Sequence, residues 1–241
     1  FNILIMLSLL EKIIEFRKRA KDTDTEFSAL LIFDEPEIHL HPYLQRTLIK
    51  EIYRLALGQD VKFNNLLREY FGITKISAQI IITTHSPNML DDDYTKIIRM
   101  YKKDDFTAAV SCASLMLNSK EKKQLLMQFE YIKEAVFSRA AIIVEGESEF
   151  GSFKLFAETI GVDFDKEGIA LIKAGGADSI LPIIKLFNKL AIKAVGVIDN
   201  DKKIEKSLPD EEFLFYTKSK CFDSEVVKRV IHNKSYDILE T

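Results

Sequence analysis

Cysteine is scarce, long apolar runs are missing and neither sign of charge predominates, and each lack narrows the field. The two cysteines, Cys112 and Cys221, make no metal-ligand spacing, so no zinc cluster or disulfide framework organises the chain, and free thiols in an intracellular, cytoplasmic protein are the expectation. The longest unbroken apolar stretches are short, as at Ile3–Leu7, far below the roughly 20 residues that span a bilayer, so no membrane segment is expected. The net charge is only −3, which excludes a uniformly basic nucleic-acid sleeve and leaves local lysine clusters to meet phosphates. There is no internal repeat and no low-complexity tract. The chain opens on Phe1-Asn2 with neither an initiator Met nor the basic flank of a signal peptide, and it is expected to be a fragment of a longer protein.

What is present is enough apolar residue to build cores. At 241 residues and 47% hydrophobic, the chain suits two modest domains or one large one. Ile3, Leu7, Leu10 and Ile14 recur at helical spacing, predicting an amphipathic helix that ends near Lys21, followed by a loop over Asp22–Glu26. Ser28–Phe33 is a solid apolar run stopped by Asp34-Glu35-Pro36, a buried strand with acids at its exit. A helix over Leu44–Leu57 and a polar insertion, Gly58–Lys75, with its own short helix lead to a second strand, Gln79–Thr84, ending in His85-Ser86-Pro87. Lys96–Tyr101 and Thr107–Ala113 alternate well enough for an antiparallel pair, and one long helix is expected at about Lys120–Phe137. From Arg139 the order is strand, helix, strand, helix, strand, the alternation of a parallel α/β sheet. A further strand at Phe213–Tyr216 and a last helix at Asp223–Ile231 complete the prediction.

The grammar of a strand stopped by acid recurs in Ala141–Glu149, AIIVEGESE, and in Ala194–Asp201, AVGVIDND. Ligands of open parallel sheets gather outside the carboxyl ends of the strands, so Glu145 and Asp199 are expected to converge there. If the second strand continues through Asn200, Asp199 and Asp201 share one face. Glu145 and Glu149 are four apart across the turn into a helix. Like charges so grouped need a proton or a cation, and an all-oxygen donor set favours Mg²⁺ or Mn²⁺. His39 and His41 lack a third ligand at a fixed offset and are read as packing residues. Lys202, Lys203, Lys206, Lys218 and Lys220 are candidate phosphate contacts or plain surface, and Gly175-Gly176 is either a turn or a place where phosphate approaches backbone N–H groups.

Two resemblances join these observations. Glu145-Gly146 after a hydrophobic strand, then Gly175-Gly176, then Asp199-Asn200-Asp201, resembles the Toprim domain of topoisomerases, bacterial primases and OLD-family nucleases, and Glu-Gly-Glu-Ser-Glu looks most like the OLD branch. Phe33-Asp34-Glu35-Pro36 resembles the Walker B element of ABC-type ATPases, and His85 resembles their switch histidine. That likeness implies that Asp34 holds the Mg²⁺ of ATP, that Glu35 positions water and that His85 contacts the terminal phosphate. The fold class implied is α/β: the C-terminal portion of an ABC-type ATPase domain (1–118), a connecting helix (119–138) and a Toprim nuclease domain (139–241), truncated at its C-terminus. The whole is similar to OLD-family ATP-dependent endonucleases, including the nuclease subunit of Gabija-type antiphage defence.

The resemblance implies Mg²⁺- or Mn²⁺-dependent hydrolysis of DNA. Glu145, Glu149, Asp199 and Asp201 would be the metal-binding and catalytic acids, with Glu225 as a further ligand from the late Asp223/Glu225 element. It also implies ATP in the full-length protein, homo-oligomerisation through the ATPase domains and a helicase-like partner. Two parts of the pattern are absent. There is no G-x-x-x-x-G-K-[ST] loop, so this chain alone is not expected to turn over ATP. The basic residue that assists cleavage in OLD-family nucleases is expected beyond Thr241. The alternative is an ATP-gated, RecF-like DNA-binding scaffold whose Toprim site is inactive.

Overall fold

A computed structural model describes residues 2–20, 25–206, 208 and 211–232. The chain divides into two compact units, Phe1–Leu90 and Asp91–Thr241. The segment 91–118, read from the sequence as the end of the ATPase part, and the connecting stretch 119–138 both lie in the second unit.

In the first unit, helix α1 (Asn2–Ala20) precedes strand β1 (Glu26–Asp34). The loop expected over 22–26 lies, through residue 24, outside the described residues. Helix α2 (Pro42–Ala56) starts with proline in its first turn, where the missing N–H costs nothing. Helix α3 (Val61–Phe71) follows, and then strand β2 (Lys75–Thr83). β1 and β2 pair in parallel from Glu26↔Lys75 to Asp34↔Thr83, so the acid-terminated strand and the strand leading to His85 end level. The stretch expected to be a polar insertion instead supplies core: Phe63, Leu67 and Ile73 bury against Ile13, Leu55 and Ile76. Its charged positions other than Asp60 face outward while this apolar minority recurs at helical spacing, which is why composition alone misread it.

Asp60 caps α3. Its carboxylate accepts the Phe63 N–H at 2.8 Å and the Arg54 guanidinium at 2.6 Å. The Phe63 amide foremost, with Arg54, holds the carboxyl below its ordinary range although burial opposes them. A carboxyl depressed in the folded state adds stability above its unfolded pKa and loses it as pH falls through the folded value. Asp60→Ala is therefore expected to cost about 0.5–2 kcal/mol at neutral pH. The deficit should shrink on acidification below about pH 4, as chemical denaturation across pH would show. A deficit independent of pH would refute the electrostatic part.

In the second unit, β3 (Ile98–Lys103) and β4 (Phe106–Ser111) form the expected antiparallel hairpin, turning at Asp104, which has φ +53°. Helices α4 (Ser119–Met127) and α5 (Phe129–Ala135) replace the single long helix expected there. The break falls at Gln128, where the backbone leaves helical geometry with ψ 2°. Phe129 and Ile132 are buried beyond it, so α5 takes its own direction to bury them. The hairpin is tied down by Arg99, whose guanidinium donates to the carbonyls of Ser138, Leu190 and Ala191 at 3.0–3.2 Å.

The remaining elements are β5 (Ala140–Val144), α6 (Glu147–Thr159), the short α7 (Phe164–Glu167), β6 (Ile169–Lys173), α8 (Ala177–Lys189), β7 (Lys193–Ile198), α9 (Asn200–Lys206), β8 (Leu214–Tyr216) and α10 (Phe222–His232). The four strands form one sheet in the order β6-β5-β7-β8, every pair parallel. Ile180, Ile183, Ile184 and Phe187 of α8 are fully buried and form its inner stripe. At Gly196 on β7 an added Cβ would stand 2.5 Å from Ile180 Cγ2 and 3.0 Å from Leu214 Cδ2. Helix and sheet are therefore as close there as backbone allows. Gly196→Ala should destabilise the unit by about 1–3 kcal/mol, read from the denaturation midpoint, through overpacking. An unchanged midpoint would mean that α8 can move away freely.

Candidate functional site

The acids of the second unit meet because the strands end level. Val144 pairs with Val197 on one side and Lys173 on the other, so Glu145, Asp199 and the Gly175-Gly176 turn leave the sheet along one edge. The Asp199 N–H points to Glu145 Oε2 at 3.4 Å, and the Gly176 N–H donates to the Glu145 carbonyl at 3.1 Å. Glu149, only 6% exposed, folds back from the first turn of α6 so that its Oε2 accepts the Gly146 N–H at 3.1 Å. The expected conjunction of Glu145 with Asp199 is present in the geometry.

The shared face of Asp199 and Asp201 is not. The strand stops at Ile198 and α9 begins at Asn200, so the two acids stand at a helix start, where residues two apart do not face the same side. The Lys202 N–H donates to the Asp199 carbonyl at 3.0 Å, the first bond of that helix, and local helical bonding overrides strand continuation. Asp201 still belongs to the neighbourhood. Its charge acts on Asp199, and its Oδ1 is buried without a hydrogen-bond partner.

Crowding shows in the protonation equilibria. Burial first, then the charges of Asp199 and Glu149, push the Glu145 carboxyl up. Burial and the charges of Asp199 and Asp223 do the same to Glu149. Asp199 rises through burial and the charges of Asp201 and Asp223, although its Oδ1 accepts the Phe222 N–H at 2.8 Å. Three neighbouring carboxyls that all resist ionisation fit a site completed by positive charge, and the orphaned Asp201 oxygen has the donor chemistry a hard cation takes. Among the described residues, no three acidic, histidine or cysteine side chains stand close enough to enclose an ion as they are now placed.

Asp223 emerges from these couplings, whereas the sequence favoured Glu225. Glu225 Oε2 accepts the Lys218 and Ser219 N–H groups at 2.6 and 3.4 Å, and Arg229 lies 3.4 Å from Oε1. The loop between β8 and α10 is thus knitted to the acids: Thr217 Oγ1 accepts the Asn200 N–H at 3.0 Å, and the Lys220 carbonyl accepts the Asp201 N–H at 3.0 Å. Lys218 and Lys220 on this loop are exposed. Lys202 pairs with Glu205, and Lys206 with Asp178, while Lys203 lies over the Tyr216 ring at 4.4 Å.

The first unit carries a separate constellation. The Thr83 hydroxyl donates to Asp34, and the Glu35 N–H donates to the Thr83 carbonyl at 3.1 Å, locking the two strand ends together. His85 Nε2 lies 3.1 Å from Glu35 Oε1, so two of the expected trio meet, while Asp34, the residue before Glu35, is bonded to Thr83. Glu35 has φ +44°, a left-handed conformation that costs a non-glycine residue energy and clusters at functional sites. His41 caps α2, its Nδ1 accepting the Tyr43 N–H at 3.4 Å, with the two rings stacked. Glu37, in the run that follows Asp34-Glu35, and Gln45, which nothing in the sequence marked out, hold the His85 segment.

A level pair of parallel strands ending in Asp-Glu opposite a histidine, and a four-stranded parallel sheet with acids at its exits, define an ATPase segment joined to a Toprim fold. Sequence similarity narrows this: residues 136–201 match the Toprim domain of overcoming-lysogenization-defect (OLD) protein-like chains, and residues 2–90 match an AAA ATPase domain. An OLD nuclease of Thermus scotoductus is 30% identical over 190 residues, covering 76% of this chain and 33% of the relative. Endonuclease GajA of Bacillus cereus is 28% identical over 183 residues, 73% of this chain and 27% of that one. The Old nuclease of Escherichia phage P2 is 24% identical over 205 residues, 82% and 32%. The chain spans about a third of the length of these curated relatives. Among the described residues no helix is long and apolar enough to cross a membrane.

Proposed function

We propose that this chain is part of an ATP-regulated DNA endonuclease. The observation that carries the proposal is the convergence of Glu145, Glu149 and Asp199 at the strand exits, all pushed toward the protonated form by burial and by one another. Glu145, Asp199 and Asp201 would hold one Mg²⁺ or Mn²⁺, with Glu149 and Asp223 available to a second; Glu225, expected as a further ligand, would have to leave its bonds to the Lys218 and Ser219 amides and to Arg229 to join them. Bound there, such ions supply an activated water and neutralise charge on the attacking and leaving oxygens of a phosphodiester. The protein positions the acids through the Asp199–Phe222 and Glu149–Gly146 hydrogen bonds. The exposed Lys218 and Lys220 offer phosphate contacts beside them.

In the first unit, Asp34 would take the Mg²⁺ of ATP, Glu35 would orient the attacking water and His85 would meet the terminal phosphate. Homo-oligomerisation through the ATPase part, a helicase-like partner, a cytoplasmic location and a role in antiphage defence belong to the same proposal, which the likeness to OLD and GajA nucleases supports. That no three of the described acids enclose an ion as they are placed is what an inactive, RecF-like scaffold would also show. Plasmid nicking by the full-length protein with Mg²⁺, with chelator, and with or without ATP separates the two. Metal-dependent nicking is expected. Complete inactivity over a range of Mg²⁺ and Mn²⁺ concentrations, with DNA binding retained, would favour the scaffold. Indifference to ATP would remove the regulatory link.

A further inference from the structure

We infer that Glu37 is a positioning residue for the histidine of the ATPase centre: it fixes the segment Thr84–Ser86 so that the His85 side chain is delivered to Glu35. The inference rests on reading the first unit as part of an ATPase. The His85 side chain is 85% exposed, and its Nε2 lies 3.1 Å from Glu35 Oε1. Packing cannot aim such a ring, so its direction is inherited from the backbone that carries it.

That backbone is held by acid. Glu37, 6% exposed, lies in the turn after Glu35-Pro36, and its Oε1 accepts both the Thr84 hydroxyl and the His85 N–H, the latter at 3.3 Å. Thr84 Oγ1 accepts the Ser86 N–H at 2.9 Å in turn. Gln45 adds a second clasp: its amide oxygen accepts the Ser86 hydroxyl at 2.6 Å while its nitrogen donates to the Leu40 carbonyl at 2.9 Å. The turn that presents Glu37 is itself strained, with Glu35 at φ +44° and His39 at φ +65° on either side. One chain segment thus places Glu35 directly and His85 through Glu37.

A purely stabilising role fits poorly. Glu37 Oε2 is buried without a hydrogen-bond partner, and a half-satisfied buried carboxylate costs free energy. What the residue contributes is geometry, and geometry at a phosphoryl-transfer centre is worth rate.

The test uses full-length protein and separates kcat from KM for ATP. Glu37→Ala should lower kcat about ten- to a hundredfold, the scale of an ångström misplacement, with KM for ATP within about twofold. Thr84→Val, nearly unchanged in volume, removes the hydroxyl clasp and should fall in the same direction, while Thr84→Ser should restore turnover. This pair carries the test if Glu37→Ala does not fold. In a His85→Ala background Glu37→Ala should cost nothing further, because it acts through that histidine. An undiminished kcat in Glu37→Ala, or an equal loss in both backgrounds, would overturn the inference while leaving the ATPase reading intact. Full-length protein that neither binds nor hydrolyses ATP would overturn both.

Discussion

Asp199→Asn in the full-length protein is expected to lower Mg²⁺-dependent DNA nicking by at least about a hundredfold, since loss even of a residue that only supports a metal ligand typically costs ten- to a hundredfold. Asparagine is the informative replacement. It keeps an oxygen to accept the Phe222 N–H, which Asp199 now does at 2.8 Å, so α10 stays anchored while the charge is lost. Alanine loses both. Removing one of several crowded acids also relieves repulsion on Glu145 and Glu149, so thermal stability should hold or rise while activity falls. That opposition distinguishes a catalytic acid from a structural one. Calorimetry should show weakened Mg²⁺ binding alongside. An Asp199→Asn variant that nicks at the rate of the parent protein would refute the placing of the metal site at these strand exits.

The fold was legible where one rule governs. An apolar run along a parallel strand stops abruptly where the strand leaves the sheet, so β1, β5, β6 and β7 stand out, and the acids at the ends of β1, β5 and β7 are visible because they interrupt such runs; β1 itself, expected to be buried, alternates exposed and half-buried positions, with Leu30 and Ile32 exposed. Level pairing then brings Glu145 to Asp199 and Asp34 to Thr83, a consequence of sheet geometry that needs no side-chain knowledge. Legibility failed where two rules compete. Asn200-Asp201 continues an alternation that reads as strand, yet it opens α9, because helix-start bonding from Lys202 to Asp199 outweighs a two-residue pattern. Gln128 is a good helix former and still marks the break between α4 and α5, because burying Phe129 and Ile132 matters more than propensity.

The site was legible in its primary acids and opaque in its support. Asp223 and Glu225 differ by two positions on α10, and only coordinates show that Asp223 acts on Glu149 and Asp199 whereas Glu225 accepts loop amides. The part played by Glu37, which stands in the acidic run after Asp34, was hidden for the same reason. In a turn rich in charge, a carboxylate that is buried looks like one that is solvated, and burial depends on segments far away along the chain.

Glu35→Gln is expected to reduce ATP hydrolysis by the full-length protein by about 10²–10⁴-fold, the usual contribution of a positioned base, while nucleotide binding persists. The side-chain volume is conserved, and Asp34, bonded to Thr83, is untouched, so the Mg²⁺ and phosphate contacts assigned to this end of the strands remain. The strained backbone bears on the outcome. Glu35 sits at φ +44°, a conformation that costs a non-glycine residue of order 1–3 kcal/mol, and glutamine inherits that cost without changing it. Folding should therefore be indifferent to the substitution, and any loss of turnover belongs to the chemistry. The variant would also hold ATP unhydrolysed, which makes it the reagent for direction of control. Nicking that rises in Glu35→Gln with ATP means that the triphosphate state licenses cleavage, and nicking that falls means that it restrains it. Turnover of ATP at the parental rate by this variant would show that Glu35 does not orient the water, and would return the pair Glu35–His85 to an ordinary exposed contact between two loops.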